Sequence, residues 1–410
     1  MKKNRVPQNP DMRSLLIDFT TCDLQRPLRR VKVNWEQALL ALQTNRITGL
    51  AYHFLRHSND PNYPPPEFKQ AVRKLHYMNI VRMAIIYKRF KSAVNQLQQY
   101  NIDFLVLKGP AVAYMVAPDP SIRYFSDLDL MVRECDWSRM NTALLEMGYL
   151  NPDGFSHPPP KIIPQAIHHE TKYYYHQTGF VIDAHYGDLL HDGLAARDIE
   201  GFWNRAVTVP IEGVMVKSLC LEDQLLHLCG HAHKHGFTHL CFLADLLFIL
   251  RDHANQLDWD LFLRTVTFEQ AQVPVYYSLR LMAHLFGISP PIEVLKAVQP
   301  DGFRRGWHEC YMPEDSIDPM SNKKWETFSF KERPLFRNII LNLFVMGRRT
   351  EKLHYLLRLL FPPPEWIRFT YGLPDNRLLA PYYVMRPFKL IFTPLGDIIH
   401  GNSFNGKPQP

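Results

Sequence analysis

The chain has 410 residues, 46% of them hydrophobic, with 47 basic and 40 acidic side chains and a net charge of +7. That balance excludes wholesale disorder and leaves room for two or three domains with a sizeable core. Prolines outnumber glycines, 32 to 19, and neither a Walker A sequence nor G-x-G-x-x-G occurs, which excludes the usual glycine-rich phosphate loops.

Residues 1–32 hold eight Lys/Arg and three Asp/Glu. The first residues, Met1-Lys2-Lys3-Asn4-Arg5-Val6-Pro7, lack an apolar h-region and read as no signal peptide. Apolar residues at helical spacing predict helices over 35–57 and 67–100. The Asp60–Pro66 stretch between them, with four prolines, is a turn and an extended lead-in.

From Ile102 the pattern shortens. Ile102–Leu107 has strand length, Lys108-Gly109-Pro110 ends it, and Ala111–Val116 forms one or two helical turns with proline at the first position. Asp127–Val132 and Phe180–His185 are further strands, and the second pairs with Thr171–His176 through Gln177-Thr178-Gly179. Cys135–Met147 is a helix closed by Gly148. Val207–Val216 adds two short strands around Glu212-Gly213.

Helical spacing returns at Leu221. Helices are expected over 222–235, 240–253, 271–286, 334–347 and 351–361. The chain thus divides into a helical region (1–100), an α/β core (101–220) and a second helical region with a basic tail (221–410). Residues 331–410 hold twelve Lys/Arg and five Asp/Glu, so the centre, 33–330, is left acidic at −5. The apolar stretch Leu378–Leu395 is broken by three prolines, Arg386 and Lys389, and does not span a membrane. Six scattered cysteines without C-x-x-C fit free thiols and a cytoplasmic location.

Asp127-x-Asp129 is the sharpest chemical feature. In a strand, residues two apart share a face, so the two carboxylates project together. Crowded carboxylates repel unless they share a cation, and hard divalent ions suit oxygen ligands. Asp183 lies in another apolar strand with His185 on its face, and a buried carboxylate needs a partner. Three acids on neighbouring strands suit a two-metal phosphoryl displacement. Lys108-Gly109 sets a cation and a flexible backbone at a strand-to-helix turn, where helix N-termini accept phosphate. Arg123 is a second phosphate clamp candidate.

Several stretches together resemble the bacterial uncharacterised nucleotidyltransferase family, within the DNA polymerase-β-like superfamily. They are Leu107-Lys108-Gly109-Pro110, Asp119–Val132 with its Asp127-Leu128-Asp129, Ile182-Asp183-Ala184-His185, the histidine-rich run 221–235, and Leu243-Ala244-Asp245-Leu246. The tail segments Phe361–Pro364 and Tyr383–Pro387 are similar too.

The resemblance implies an α+β protein with a small mixed-sheet core between helical regions. Its activity would be transfer of an NMP group from an NTP, ATP being the first expectation, to a hydroxyl of a small molecule, peptide or protein. Two Mg²⁺ ions would be held by Asp127, Asp129 and Asp183, and pyrophosphate would leave. Lys108, Gly109 and Arg123 would hold the triphosphate, with His185 and His231 as further nucleotide contacts. Nucleic acid is not expected as a partner. Gly109-Pro110 departs from the superfamily's Gly-Gly or Gly-Ser pair, and Pro110 offers phosphate no N–H.

His227, His231 and His235 recur at i, i+4 and i+8 on one helix face. They read first as a polar stripe lining a cleft against acids such as Asp245, second as a substrate contact and third as a zinc site, since H-E-x-x-H is absent. His157, His168 and His169 are loop residues. Tyr173–Tyr175 fit strand packing, and Arg348-Arg349 with Lys352 fit a solvated helix face. Two other readings stand beside the transferase: a non-catalytic nucleotide- or peptide-binding module, and a zinc-dependent hydrolase.

Overall fold

The computed structural model describes residues 10–25, 27–57, 60, 62–151, 170–185, 189, 198–311, 343, 345–362, 364–374 and 376–388. Among these residues, seven strands form one mixed sheet in the order β3-β4-β5-β2-β1-β7-β6. They are β1 (Phe104–Val106), β2 (Asp127–Val132), β3 (Tyr149–Leu150), β4 (Glu170–Tyr175), β5 (Phe180–His185), β6 (Val207–Ile211) and β7 (Val214–Ser218). The central strands β2 and β5 run parallel, as do β1 and β7, while β1 and β2 are antiparallel. The hairpins β4–β5 and β6–β7 complete the two wings.

Among the described residues, four helices precede the sheet: α1 (Pro10–Thr21), α2 (Trp35–Thr44), α3 (Thr48–Arg56) and the long α4 (Pro66–Gln99). Within it lie α5 (Pro110–Met115), α6 (Trp137–Glu146) and α7 (Ile199–Asn204). After it come α8 (Leu221–Lys234), α9 (Leu240–Asp252), α10 (Trp259–Glu269), α11 (Gln272–Phe286), α12 (Ile292–Ala297), α13 (Gly302–Tyr311), α14 (Arg349–Leu360) and α15 (Pro364–Tyr371). The α+β architecture follows from the sequence pattern. Most expected elements lie within a few residues of their observed bounds. The helix expected over 334–347 falls almost wholly outside the described residues, as do His157, His168 and His169.

One expectation is corrected. The single helix over 35–57 is two helices, α2 and α3, broken at Asn45-Arg46-Ile47, where Arg46 takes a φ of +57°. Hydrophobic spacing runs through the break because both pieces bury the same side. The turn is held because Asn45 receives the start of α9: its side-chain oxygen accepts from Leu240 N at 3.3 Å and its carbonyl from Cys241 N at 3.2 Å. A backbone site built for another helix outweighs local helix continuity.

Strand alternation sorts the sheet into two differently covered faces. Leu128, Leu130 and Val132 of β2, with Phe104, Val106, Ile182 and Ala184, pack under α4 and α6 against Phe90, Val94, Trp137 and Met140. The opposite face carries Leu105, Leu107 and Met131 into a second core shared by α1–α3, α8, α9, α10 and α11. That core joins Leu15, Leu16 and Phe19 from the start of the chain to Leu246, Leu250 and Met282. The N-terminal and C-terminal helices therefore stabilise each other over the sheet. Asp127 and Asp129 alternate onto this second face.

Candidate active site

Parallel pairing of β2 with β5 sets Asp129 in register with Asp183, and Asp127 with Val181. Registered neighbours in a sheet point the same way, so the three acids share one face. Antiparallel pairing of β4 with β5 sets Lys172 opposite Asp183. His185 follows Asp183 by two residues and rejoins the same face. Asp129, Asp183 and His185 are all buried, at 2%, 5% and 2% exposure, whereas Asp127 is half-buried and lies beside Ser126 Oγ at 3.4 Å.

Two ammonium groups neutralise the buried acids. Lys108 Nζ lies 2.9 Å from Asp129 Oδ1, and Lys172 Nζ lies 2.8 Å from Asp183 Oδ2. His185 Nε2 lies 3.2 Å from the same Asp129 oxygen. Burial acts to raise the Asp129 pKa, yet Lys108 and His185 together outweigh it and hold the carboxyl well below the usual carboxylate range. Asp129 is therefore an anion at physiological pH.

Lys108 is aimed by the turn that carries it. Leu107 N donates to Asp129 O at 3.0 Å, so the chain leaves β1 still hydrogen-bonded to β2. Gly109 then adopts φ +55°, ψ −109°, a conformation that residues with side chains rarely adopt. A Cβ there would meet Asp127 O and the Phe125 ring at 3.4 Å. The glycine thus reverses the chain close against β2, and α5 begins at Pro110.

Helix α8 roofs the acid face. His231 Nδ1 lies 3.4 Å from Lys108 Nζ, and His227 Nδ1 lies 2.6 Å from Leu189 O. Because a carbonyl only accepts, His227 donates through Nδ1. Burial, then the nearby Lys108 charge, lowers the His227 pKa to about 3, and the same causes lower His231 well below the usual histidine value. Both rings are neutral at physiological pH. His235 instead packs with His231 and Phe242, at ring separations of 4.6 and 5.3 Å. Along the stripe, His227, His231 and His235 therefore meet a carbonyl, a lysine and an aromatic ring in turn. Among the described residues, no group of three or more His, Cys, Asp or Glu side chains is arranged to hold a metal ion.

Asp245 is engaged elsewhere than at the histidines. Arg123 donates to it through Nη2 at 2.7 Å and Nε at 3.2 Å, forming a two-pronged pair with both partners largely buried. The guanidinium expected to clamp phosphate is spent on tying the loop before β2 to α9. Sequence reading missed one residue and one pairing here: Lys172, and the engagement of Asp245 by Arg123 instead of by the histidines. The first had a signal, because a hairpin turning at Gln177-Thr178-Gly179 and pairing Tyr175 with Phe180 sets 172 opposite 183. The second had none, since 122 residues separate the pair.

The match to known families decides the class. A family model described as uncharacterised nucleotidyltransferase covers residues 31–287. The chain belongs to this family. Neither the curated proteins nor the solved structures contain a match. The uncharacterised nucleotidyltransferase model spans the sheet, the three acids, both lysines and helices α2–α11. It leaves out α1, although Leu15 and Phe19 are fully buried, and it leaves out α14 and α15. Membership brings general nucleotidyl transfer, with a nucleoside triphosphate as substrate. No described helix is long and apolar enough to cross a membrane.

Proposed function

We propose that this nucleotidyltransferase moves an NMP group from an NTP, ATP first among them, to a hydroxyl of a small molecule, peptide or protein, with Mg²⁺ as cofactor. The observation that carries this reading is the co-facial set Asp127, Asp129 and Asp183 on two parallel strands in register. By donor chemistry the set suits a hard divalent cation, since all three ligands are carboxylates and two are buried. As the side chains stand, Lys108 and Lys172 neutralise Asp129 and Asp183, so a metal ion must take the place of the ammonium groups. Asp127, Asp129 and Asp183 would hold Mg²⁺, which when bound neutralises phosphate charge and steadies the attacking and leaving oxygens.

The protein's own groups account for the rest. Asp183 completes the carboxylate set or takes the proton from the acceptor hydroxyl. Lys108 and Lys172 offer cations to the triphosphate and to pyrophosphate as it departs. Gly109 lets the backbone approach phosphate closely, while Pro110 contributes no N–H. Neutral His231 remains able to donate or accept a hydrogen bond, and His185 stands against Asp129.

Pyrophosphate release measured with NTP, Mg²⁺ and a panel of hydroxyl acceptors tests this. Asp129→Asn and Asp183→Asn are expected to lower it by about 10²- to 10³-fold or more while the thermal transition persists. Undiminished turnover in either variant overturns the assignment. The paired state of both buried acids favours one rival, a binding module without chemistry. Metal-independent nucleotide binding with no product across the acceptor panel would establish that rival.

A further inference from the structure

We propose that the outer face of α4 is a docking surface for an anionic lipid bilayer, on which the protein lies with its acid face turned away from the lipid.

Helix α4 buries one side and leaves the other open. Val72, Ile86, Phe90, Val94 and Leu97 are buried, whereas Tyr77, Met78, Val81 and Ile85 are 47%, 60%, 65% and 46% exposed. Tyr77, Val81 and Ile85 follow one another at four-residue steps with Met78 beside them, and so form one apolar line. Exposed apolar side chains are ordinary when scattered, but a continuous line of them marks a surface that meets a partner.

Charge identifies the partner. Residues 69–99 hold seven Lys/Arg and no Asp/Glu. Arg73, Lys74, Arg82, Lys88 and Lys91 are exposed, and helical spacing sets them on both flanks and at both ends of the apolar line. Arg73 lies over the Tyr77 ring at 5.6 Å, and none of the five enters an ion pair among the described residues. Acids stand towards the ends of the helix: Glu67 in its first turn, Glu146 against Tyr100, and Glu212 against Tyr114. From Arg73 to Lys91 the cations span about 27 Å of helix axis.

A flat anionic surface meets all five cations at once, while the aliphatic tips enter the boundary between headgroups and acyl chains. The long basic stems lie along the apolar line and carry their charges to the headgroups. Tyr77 ends the line with a ring suited to that interface. A nucleic acid would leave Val81 and Ile85 against hydrated phosphate, and a second copy would set five cations against five. Helix α4 packs on the sheet face of Leu128 and Leu130, opposite the acids, so lipid on its outer side does not cover Asp127, Asp129 or Asp183.

The test is co-sedimentation of the full chain with vesicles of phosphatidylcholine alone, or of phosphatidylcholine and phosphatidylserine in equal parts. Wild-type protein, Lys74→Gln/Lys88→Gln and Val81→Asn/Ile85→Asn are compared, with thermal melts confirming folding. Wild-type protein is expected to bind the anionic vesicles at least about tenfold more tightly than the neutral ones, and more weakly as salt rises. The lysine variant should lose about 25-fold in affinity for anionic vesicles, and the apolar variant at least about tenfold. No binding to anionic vesicles, or equal binding to both kinds, overturns the proposal. Wild-type affinity in either variant overturns it as well, and in both it moves the contact to another part of the chain. Self-association lost in Val81→Asn/Ile85→Asn, without vesicle binding, overturns it in favour of a second copy. Binding of single-stranded RNA that only the lysine variant weakens, again without vesicle binding, overturns it in favour of a nucleic acid.

Discussion

Gly109 shows how much one residue sets in this site. Its φ of +55° with ψ −109° turns the chain against β2 and delivers Lys108 to Asp129. Alanine at this position meets no hard clash, since the nearest atoms are at 3.4 Å, but it must adopt a conformation that side chains disfavour. Gly109→Ala is expected to cost about 1–3 kcal/mol, measured by chemical denaturation, and to weaken nucleotide binding as Lys108 shifts. Unchanged stability would show that the turn has another conformation of equal energy. The glycine's place between a lysine and a proline is legible in sequence. Its backbone angles, and hence where it points the lysine, depend on β2 lying beside it.

At the scale of elements, ion pairs join segments that pattern reading treats separately. Arg123 and Asp245 connect the loop before β2 to α9, and Arg205 and Asp223 connect the end of α7 to α8 at 2.9 Å, with the Asp223 side chain fully buried. Asp245 burdens the fold if left alone, because a buried carboxylate without a partner is costly. Arg123→Met is therefore expected to destabilise the protein by about 3–5 kcal/mol, and the double variant Arg123→Met/Asp245→Leu to recover much of it. The same variants separate structure from chemistry. If Arg123 holds only Asp245, the double variant binds NTP as the wild type does; a selective loss of NTP affinity would restore the phosphate role.

Across the whole molecule, acid acts on several buried groups with the same sign. The His227 pKa is about 3 in the fold, below the ordinary histidine value of about 6.5. Between those values the unfolded chain binds a proton that the native state does not, so stability falls as pH drops from about 6.5 towards 3. At pH 5 this one ring costs about 2 kcal/mol relative to pH 8. His239, lowered to about 4 by burial and then Arg46, adds to it. Asp129, held below the carboxylate range, is stabilising above about 4 and loses that contribution below it. Urea midpoints should decline from pH 7 to pH 5, and His227→Gln, which can still donate to Leu189 O, should flatten the decline. A pH-independent midpoint in the wild type would contradict the burial of these rings.

The acid motif, the strand lengths and the two helical flanks were legible in sequence because alternation and helical spacing are local properties of the chain. Asp127 and Asp129 had to share a face once β2 was a strand, and Asp183 had to be buried once β5 was apolar. Tertiary structure alone decided the rest. It chose parallel pairing of β2 with β5, which registers Asp129 beside Asp183, and it split the helix at Asn45 to receive α9. It also assigned Arg123 to Asp245 and set a lysine on each buried acid. Partner choice among charged groups depends on distance through space and on exclusion of water. Neither is a function of separation along the chain, and so the acidic centre of this basic protein shows its acids in sequence but their counter-charges only in the fold.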